Sequence, residues 1–249
     1  MKRENMRVLA ALGALGAFAG AAQAVIIDFN TLQHGEIVTN QFAGQGLNIS
    51  AINPNRPFDL AIIFDANETN TADPDLEGPP WAGGNLAISD TETDLMKMLI
   101  LAENNNGAGD GIVDTPDDEG MRPAGDLIFD FVTRQTHFGF DIVDLEGVMA
   151  EAGSVEFFAN GSSVGSVAFS EFTNNASIFF DSSVVFGNNT ANRIQPIDIL
   201  DVNQIAGAFD RVVIHMGGSG AVDNIYYVPT PGSFAMLGIA GVAGFRRRR

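Results

Sequence analysis

The clearest structural signal in the chain is Val155-Glu156-Phe157-Phe158-Ala159-Asn160-Gly161-Ser162-Ser163-Val164. Apolar residues flank Asn160-Gly161, a dipeptide that tolerates the positive φ angles of a two-residue hairpin turn. The stretch therefore predicts an antiparallel β-hairpin. Its continuation, Gly161-Ser162-Ser163-Val164-Gly165, also fits the pattern of a hydrolase nucleophile elbow. That elbow joins a strand to a helix, whereas this serine follows a hairpin turn, so we regard the match as accidental.

Short runs rich in Val, Ile and Phe recur between residues 25 and 228, separated by Gly, Asn, Asp and Ser. Many closely spaced short strands are typical of an all-β sandwich or barrel. The predicted strands are Val25–Phe29, Leu60–Phe64, Leu127–Val132, Phe138–Val143, Val155–Phe158, Val164–Phe169, Ile178–Phe180, Val212–Met216 and Ile225–Val228. Helical patterns are confined to the two terminal segments.

The composition narrows the function classes. The 249 residues include no cysteine, which excludes disulfide bonds and thiolate metal sites. There are 31 acidic and 13 basic side chains, and residues 25–228 hold 30 of the acids but only 6 of the bases, a net charge of −24 with His neutral. Nucleic-acid affinity depends mainly on Lys and Arg at phosphates, so we expect no nucleic-acid partner.

Residues 1–24 have the three parts of a secretory signal peptide. Basic residues precede the uncharged run Val8–Gly20, and Ala22 and Ala24 are small residues at the spacing of a cleavage site. A membrane anchor is the alternative, but the apolar run is shorter than the roughly 20 residues of a spanning helix. We therefore expect the Sec machinery to export the chain and signal peptidase to cut after Ala24.

The C-terminal segment, residues 229–249, starts with Pro229, Thr230, Pro231 and Gly232. The uncharged stretch Phe234–Phe245 follows, and the last four residues are Arg246, Arg247, Arg248 and Arg249. An apolar stretch can enter a bilayer, and terminal arginines favour the cytoplasmic side. Because the stretch is short for a permanent span, we expect a short apolar helix that contacts the membrane transiently. A generic tail anchor is the alternative.

This tail resembles the PEP-CTERM sorting signal of exosortase substrates in Gram-negative-type bacteria. The family motif is Pro-Glu-Pro, an apolar stretch and an arginine cluster, and Thr230 stands here where the family usually has Glu. The resemblance implies processing by an exosortase-type enzyme and delivery to the cell surface or extracellular matrix. Exopolysaccharide is a further implied partner. The implied organisation is a signal peptide at 1–24, a β domain at 25–228 and a sorting segment at 229–249.

Two acidic loops, residues 65–77 and 103–119, lie between the predicted strands, and a calcium-binding loop is one interpretation of the second. With Asn106 as the first ligand, Asp110, Asp114 and Asp117 take the fifth, ninth and twelfth places of a calcium loop. The third place holds no ligand, and Asp replaces the usual Glu at the twelfth. An ordinary solvated loop is the alternative interpretation.

The start and end of the predicted β domain suggest a second cation site. Ile26-Ile27-Asp28-Phe29 opens it, and Ala221-Val222-Asp223-Asn224-Ile225 forms part of its last strand. These residues resemble the jelly-roll sandwiches of carbohydrate-binding modules, which implies a jelly-roll-like antiparallel β-sandwich. The resemblance implies a structural calcium at Asp223, and proximity adds Asp28 as a candidate. The alternative is that backbone N–H groups satisfy both carboxylates.

Three functions remain open. Our leading prediction is a non-enzymatic, exported structural or adhesive protein of the cell surface. The second is a calcium-dependent carbohydrate-binding module, in which Trp81 would be an exposed platform for a sugar. The third is a glycan-active enzyme, because the pairs Asp141 with Asp144 and Glu103 with Asp118 could do acid–base work. Such pairs also arise by chance in so acidic a chain.

Overall fold

The computed structural model describes residues 23–88, 93–147 and 151–231, and this part of the chain is almost entirely β. Its strands are β1 (Val25–Ile27), β2 (Leu47–Ile52), β3 (Ala61–Asp65), β4 (Lys97–Leu101), β5 (Gly125–Val143), β6 (Ser154–Ala159), β7 (Ser162–Ala168), β8 (Ala191–Asp198), β9 (Phe209–Met216) and β10 (Ala221–Pro229). A single α-helical turn, α1, covers Ile199–Val202. Short 3-10 turns cover Ala43–Gln45, Pro74–Leu76, Ala108–Asp110 and Phe169–Phe172. The named strands pair antiparallel, which confirms the predicted all-β fold.

Strand β5 is 19 residues long and belongs to two layers. Residues 125–131 of this strand pair with β2 and β9, whereas residues 135–143 pair with β10 and β8. The register of the β5–β9 pairing shifts between Asp130 and Gln135, where the strand passes from one layer to the other. Irregularities of this kind let one strand turn a corner between packed sheets.

The two layers enclose the main hydrophobic core. The first layer runs in the order β2, β5, β9, β6, β7, and the second in the order β3, β4, β10, β5, β8. Aromatic rings cross the gap between the layers. The ring of Phe138 in the second layer lies 6.5 Å from that of Phe157 in the first, and the rings of Phe131 and Tyr227 lie 4.9 Å apart. The arrangement is a sandwich, as predicted.

The hairpin predicted at Asn160-Gly161 is confirmed. Strands β6 and β7 pair up to Ala159 and Ser162, which leaves two residues in the turn. Their φ angles are 51° at Asn160 and 77° at Gly161, the left-handed conformations that a type I′ turn requires.

Two details of the predicted strand pattern are wrong. Leu127–Val132 and Phe138–Val143 are parts of the single strand β5, because the polar residues between them cross between the layers in an extended conformation. Ile178–Phe180 forms turns instead of a strand, and Ile178 is 73% exposed. The prediction also missed β2, β4 and β8.

A second, smaller core lies on the outer face of the second layer. Successive side chains of β3 point to opposite faces of the layer, so that Ile63 belongs to the main core whereas Ile62 and Phe64 belong to the second core. Loop residues cover this outer face, namely Leu76, Trp81, Leu86, Leu95 and Val113. The acidic loops are therefore packed against the sheet as a third layer, and the candidate site lies there.

The two ends of the described chain lie side by side. Strand β1 pairs with the end of β10, with Val25 opposite Tyr227. The N–H of Thr230 donates to the carbonyl of Arg134 at 2.8 Å. Ala24, which precedes β1, and Pro231, which follows Thr230, are both exposed. Both terminal segments thus join the β domain at the same edge.

Most residues of the two predicted terminal segments lie outside the part of the chain that the structure describes. The signal helix, Ala22, Gly232, the C-terminal apolar helix and Arg246–Arg249 fall outside the described residues. Within the described ranges, no helix has the length and apolar character needed to cross a membrane.

Candidate metal centre

Three carboxylates from the two acidic loops meet beside the second core. Asp73, Asp117 and Asp118 each offer one oxygen, and these oxygens lie within 4.8 Å of one another. Asp73 is 8% exposed and Asp118 is 5% exposed, whereas Asp117 is half-buried. Burial of this much negative charge in one place requires compensation.

Asp73 is fixed by its own loop. It directly precedes the 3-10 turn Pro74–Leu76, which is anchored by the fully buried side chain of Leu76. Its N–H donates to Thr71 Oγ1 at 3.2 Å, and the N–H of Thr71 donates to Glu77 Oε1 at 2.8 Å. The Asp73 side chain does not cap the turn, so its carboxylate is left to face the other two.

Asp117 and Asp118 are held by backbone bonds next to β4. Asp118 forms a bridge with Ala102, just beyond the end of that strand. The N–H of Glu103 donates to the carbonyl of Asp117 at 2.9 Å, and that of Glu119 donates to Leu101 at 2.9 Å. The extended backbone places the Asp118 side chain inward and leaves Asp117 nearer the surface.

Asp118 also reaches the turn between β9 and β10. Its Oδ2 accepts from the N–H of Gly220, and the hydroxyl of Ser219 lies 3.0 Å from the same oxygen. Ser219 Oγ lies 3.1 Å from Oδ2 of a fourth carboxylate, the buried Asp144, whose Oδ1 accepts from the N–H of Asn189 at 2.6 Å. The site thus connects segments that are far apart in the sequence.

Burial dominates the electrostatics of these carboxyl groups. It raises the pKa of Asp73 to about 6 and that of Asp144 to about 7, and it raises the pKa of Asp118 well above its ordinary value. The negative charge of Asp73 raises the pKa of Asp118 further. Among the described residues, no Lys, Arg or His forms an ion pair with Asp73, Asp118 or Asp144. A proton or a bound cation must therefore compensate their charge.

Only one of the four ligands predicted for the calcium loop, Asp117, belongs to this group. Asp110 Oδ1 accepts from the N–H of Ile112 at 3.1 Å, as in an ordinary turn. The N–H of Asp114 donates to the carbonyl of Asn106 at 2.8 Å, which closes the loop on itself. Asp117 is the shared member, and its partners are Asp73 and Asp118. Calcium binding by the loop residues together stays a prediction.

The predicted site at Asp28 and Asp223 is brought together by the β1–β10 pairing. Asp223 is 1% exposed, and its Oδ1 is buried without a hydrogen-bond partner. Burial raises the pKa of Asp223, and the charges of Asp141 and Asp28 raise it further. Within the described ranges these carboxylates do not bring three ligand oxygens together. Calcium at this edge also stays a prediction.

Trp81 is not an exposed sugar platform, so that prediction is wrong. Its side chain is 6% exposed and belongs to the second core. The indole N–H donates to the carbonyl of Thr93 at 2.9 Å, and the ring packs directly against Gly78. The ring is turned inward because the loop that carries it covers the sheet.

The carboxylate pairs considered for an enzyme are engaged in other contacts. Arg193 binds Asp141 through two hydrogen bonds of 2.8 Å each, and Arg56 Nη2 lies 2.6 Å from Glu103 Oε1. Their second members, Asp144 and Asp118, lie in the carboxylate cluster described above.

A different charged cluster lies on the outer face of the first layer. His215 on β9 places Nδ1 2.7 Å from Asp126 Oδ1 on β5 and Nε2 3.0 Å from Glu156 Oε2 on β6. The imidazole is about one-third exposed. The hydrogen bond to Asp126 and then that to Glu156 raise the pKa of His215. One histidine thus joins three neighbouring strands.

This cluster predicts a pH-dependent contribution to stability. Because the pKa of His215 is raised in the folded state, its stabilisation is complete below the ordinary value of 6.5 and is lost as the pH rises through the folded pKa. At pH about 5.5 we expect the free energy of unfolding of wild type to exceed that of His215→Gln by about 1 kcal/mol or less. This difference should shrink by pH about 9. Urea unfolding across this range measures it. In the background of the double variant Asp126→Asn with Glu156→Gln, adding His215→Gln should change the free energy of unfolding by the same amount at every pH. If the effect of His215→Gln is also independent of pH in the wild-type background, the hydrogen bonds of His215 do not stabilise the fold.

Comparisons with known proteins show no family for this chain. No protein-family model and no curated protein matches it. It is similar in structure to the K2 cleaved adhesin domain of Lys-gingipain, with a TM-score of 0.39 and 12% sequence identity over 82% of this chain and 97% of that one. A likeness at this TM-score carries no argument about function.

Proposed function

We propose that the chain is an exported protein whose β domain is released from both terminal segments and has a structural or adhesive role without catalysis. Its destination is the cell surface or extracellular matrix of a Gram-negative-type bacterium. An exosortase-type enzyme acts on residues 229–249 after signal peptidase has cut at Ala24.

The position of the two predicted processing regions supports this proposal. Strand β1 begins at Val25, directly after Ala24, and β10 ends at Pro229, inside the proline motif. Ala24 and Pro231 are exposed, whereas the strands between them are paired and packed. Removal of both segments would leave the pairing of β1 with β10 and the two cores intact.

The charge distribution supports the same proposal. The basic residues outside the described β domain lie in the two terminal segments, so that processing leaves a domain with a net charge of −24. A strongly anionic domain is soluble, repels anionic surfaces and concentrates cations. These properties suit an extracellular matrix component.

Processing is tested by replacing Arg246, Arg247, Arg248 and Arg249 with Gln in a host that carries an exosortase. We expect the wild-type chain to reach the surface without its terminal segments, and the variant to remain full-length at its C-terminus in the membrane fraction, because the arginines hold the tail on the cytoplasmic side. Fractionation and mass spectrometry of the chain termini measure this outcome.

Two matched variants complete that experiment. Thr230→Glu restores the family motif and should be processed at least as well as wild type. Arg134→Gln removes a basic residue from the β domain and should not change processing. Recovery of the wild-type chain full-length from the cytosol, or equal processing of the four-arginine variant, would contradict the proposed function.

A further inference from the structure

We propose that Asp73, Asp117 and Asp118 bind one calcium ion, which joins the two acidic loops over the second core. This site differs from both cation sites that the sequence suggests, and it does not depend on where the protein is exported.

The first argument is geometric. Calcium binds oxygen ligands at 2.3–2.6 Å, so two ligands on opposite sides of one ion lie at most about 5 Å apart. The three carboxylate oxygens lie within 4.8 Å of one another, which is close enough to share one ion. The ligands are hard oxygen donors, which calcium prefers, and the group contains no imidazole nitrogen that would favour zinc.

The second argument is an oxygen without a partner. Asp73 is 8% exposed, and its Oδ2 is buried with no hydrogen-bond partner. A buried acceptor without a partner is destabilising, and most such groups in proteins are satisfied. A cation held between Asp73 and its two neighbours supplies the missing interaction.

The third argument is the charge balance of the pocket. Asp144 adds a third buried carboxylate to those of Asp73 and Asp118, and it is connected to Asp118 through the Ser219 hydroxyl. Within the described ranges, the ion pairs of the protein leave Asp73, Asp118 and Asp144 without a basic partner. A divalent cation compensates two negative charges where the chain provides none. Bound there, it would tie the loop of Asp73 to the segment beside β4.

The test is thermal unfolding of the full chain, first stripped with a chelator and then titrated with calcium. A ligand that binds only the folded state stabilises it by mass action. At a calcium concentration about 100 times Kd, we expect the melting temperature of wild type to rise by about 5–10 °C. Isothermal titration should give one ion per chain at this site.

Asp73→Asn is the diagnostic variant. It should lose the calcium-dependent shift but melt in chelator at or above the temperature of wild type in chelator, because it removes a buried negative charge that no basic side chain compensates. Asp28→Asn and Asp110→Asn remove the same charge from exposed positions in the other predicted sites, and both should keep the full shift. If Asp73→Asn does not fold, Asp117→Asn at the half-buried position replaces it and should also lose the shift.

Three results would overturn the inference. The first is a wild-type melting temperature that calcium does not change. The second is a calcium shift that survives in Asp73→Asn or Asp117→Asn, which would place the ion elsewhere; loss of the shift in Asp28→Asn or Asp110→Asn would then place it at one of the two sites predicted from the sequence. The third is an equal shift with magnesium at the same concentration, which would contradict the assignment to calcium.

Discussion

Phe138→Ala is expected to lower the free energy of unfolding by about 3–5 kcal/mol, the range for deleting a buried aromatic ring. Phe138 is fully buried on β5, just after the strand changes layer. Its ring lies 5.6 Å from that of Phe129, 5.8 Å from that of Phe140 and 6.5 Å from that of Phe157. Truncation leaves a cavity between the two layers that rigid strands on both sides cannot fill.

Urea unfolding followed by circular dichroism measures this loss. Val132→Ala is the control on the same strand, because Val132 is 63% exposed and its truncation should change the free energy of unfolding by about 0.5 kcal/mol or less. A loss at Phe138 no larger than that at Val132 would show that the layers do not pack around this ring.

Arg193→Met is expected to lower the free energy of unfolding by about 3 kcal/mol, the lower end of the range for a buried ion pair, because Asp141 is buried but the Arg193 side chain is 47% exposed. Arg193 on β8 lies opposite Asp141 on β5 and binds it through two hydrogen bonds. Asp141 is 1% exposed, so the variant leaves its charge buried without a cation. The Asn224 amide still donates to Asp141 at 2.8 Å, which limits the loss.

The chain contains a matched control for this pair. Arg211 on β9 lies opposite Asp130 on β5 and makes the same two-bond contact, at 2.6 and 3.0 Å. Asp130 is 39% exposed by its side chain, so Arg211→Met should lose only about 0.2–1 kcal/mol. Both variants are compared by urea unfolding. If both variants lower the free energy of unfolding by the same amount, burial of the carboxylate does not determine how much the Arg–Asp contact stabilises the fold.

Local signals in the sequence predict part of this fold well. The β6–β7 hairpin was predictable because the Asn160-Gly161 turn is specified by two adjacent residues. The continuity of β5 was not predictable from the sequence. Polar residues between two apolar runs form the same sequence pattern whether the chain turns there or continues as one strand from one layer to the other. β8 contains Pro196, which argues against an interior strand, but β8 lies at the edge of its layer, where proline is tolerated.

The candidate site shows a sharper limit. The acidic loops and Asp117 could be recognised from the sequence, but Asp73 and Asp118 are separated by strand β4 and meet only because both loops fold over the same sheet. Trp81 was misjudged for a related reason. The prolines and glycines beside Trp81 are typical of a loop, but the sequence does not reveal that this loop covers apolar residues such as Ile62 and Phe64.

The shared strand β5 has a consequence for how the protein opens. Neither layer can separate without breaking backbone hydrogen bonds of a strand that the other layer also holds. Partial unfolding that spares one half of the sandwich is therefore disfavoured, and the two halves act as a single cooperative unit. Fluctuations that expose backbone amides to solvent should be confined to the outer loops and to the short strand β1, the regions that a protease would cut first.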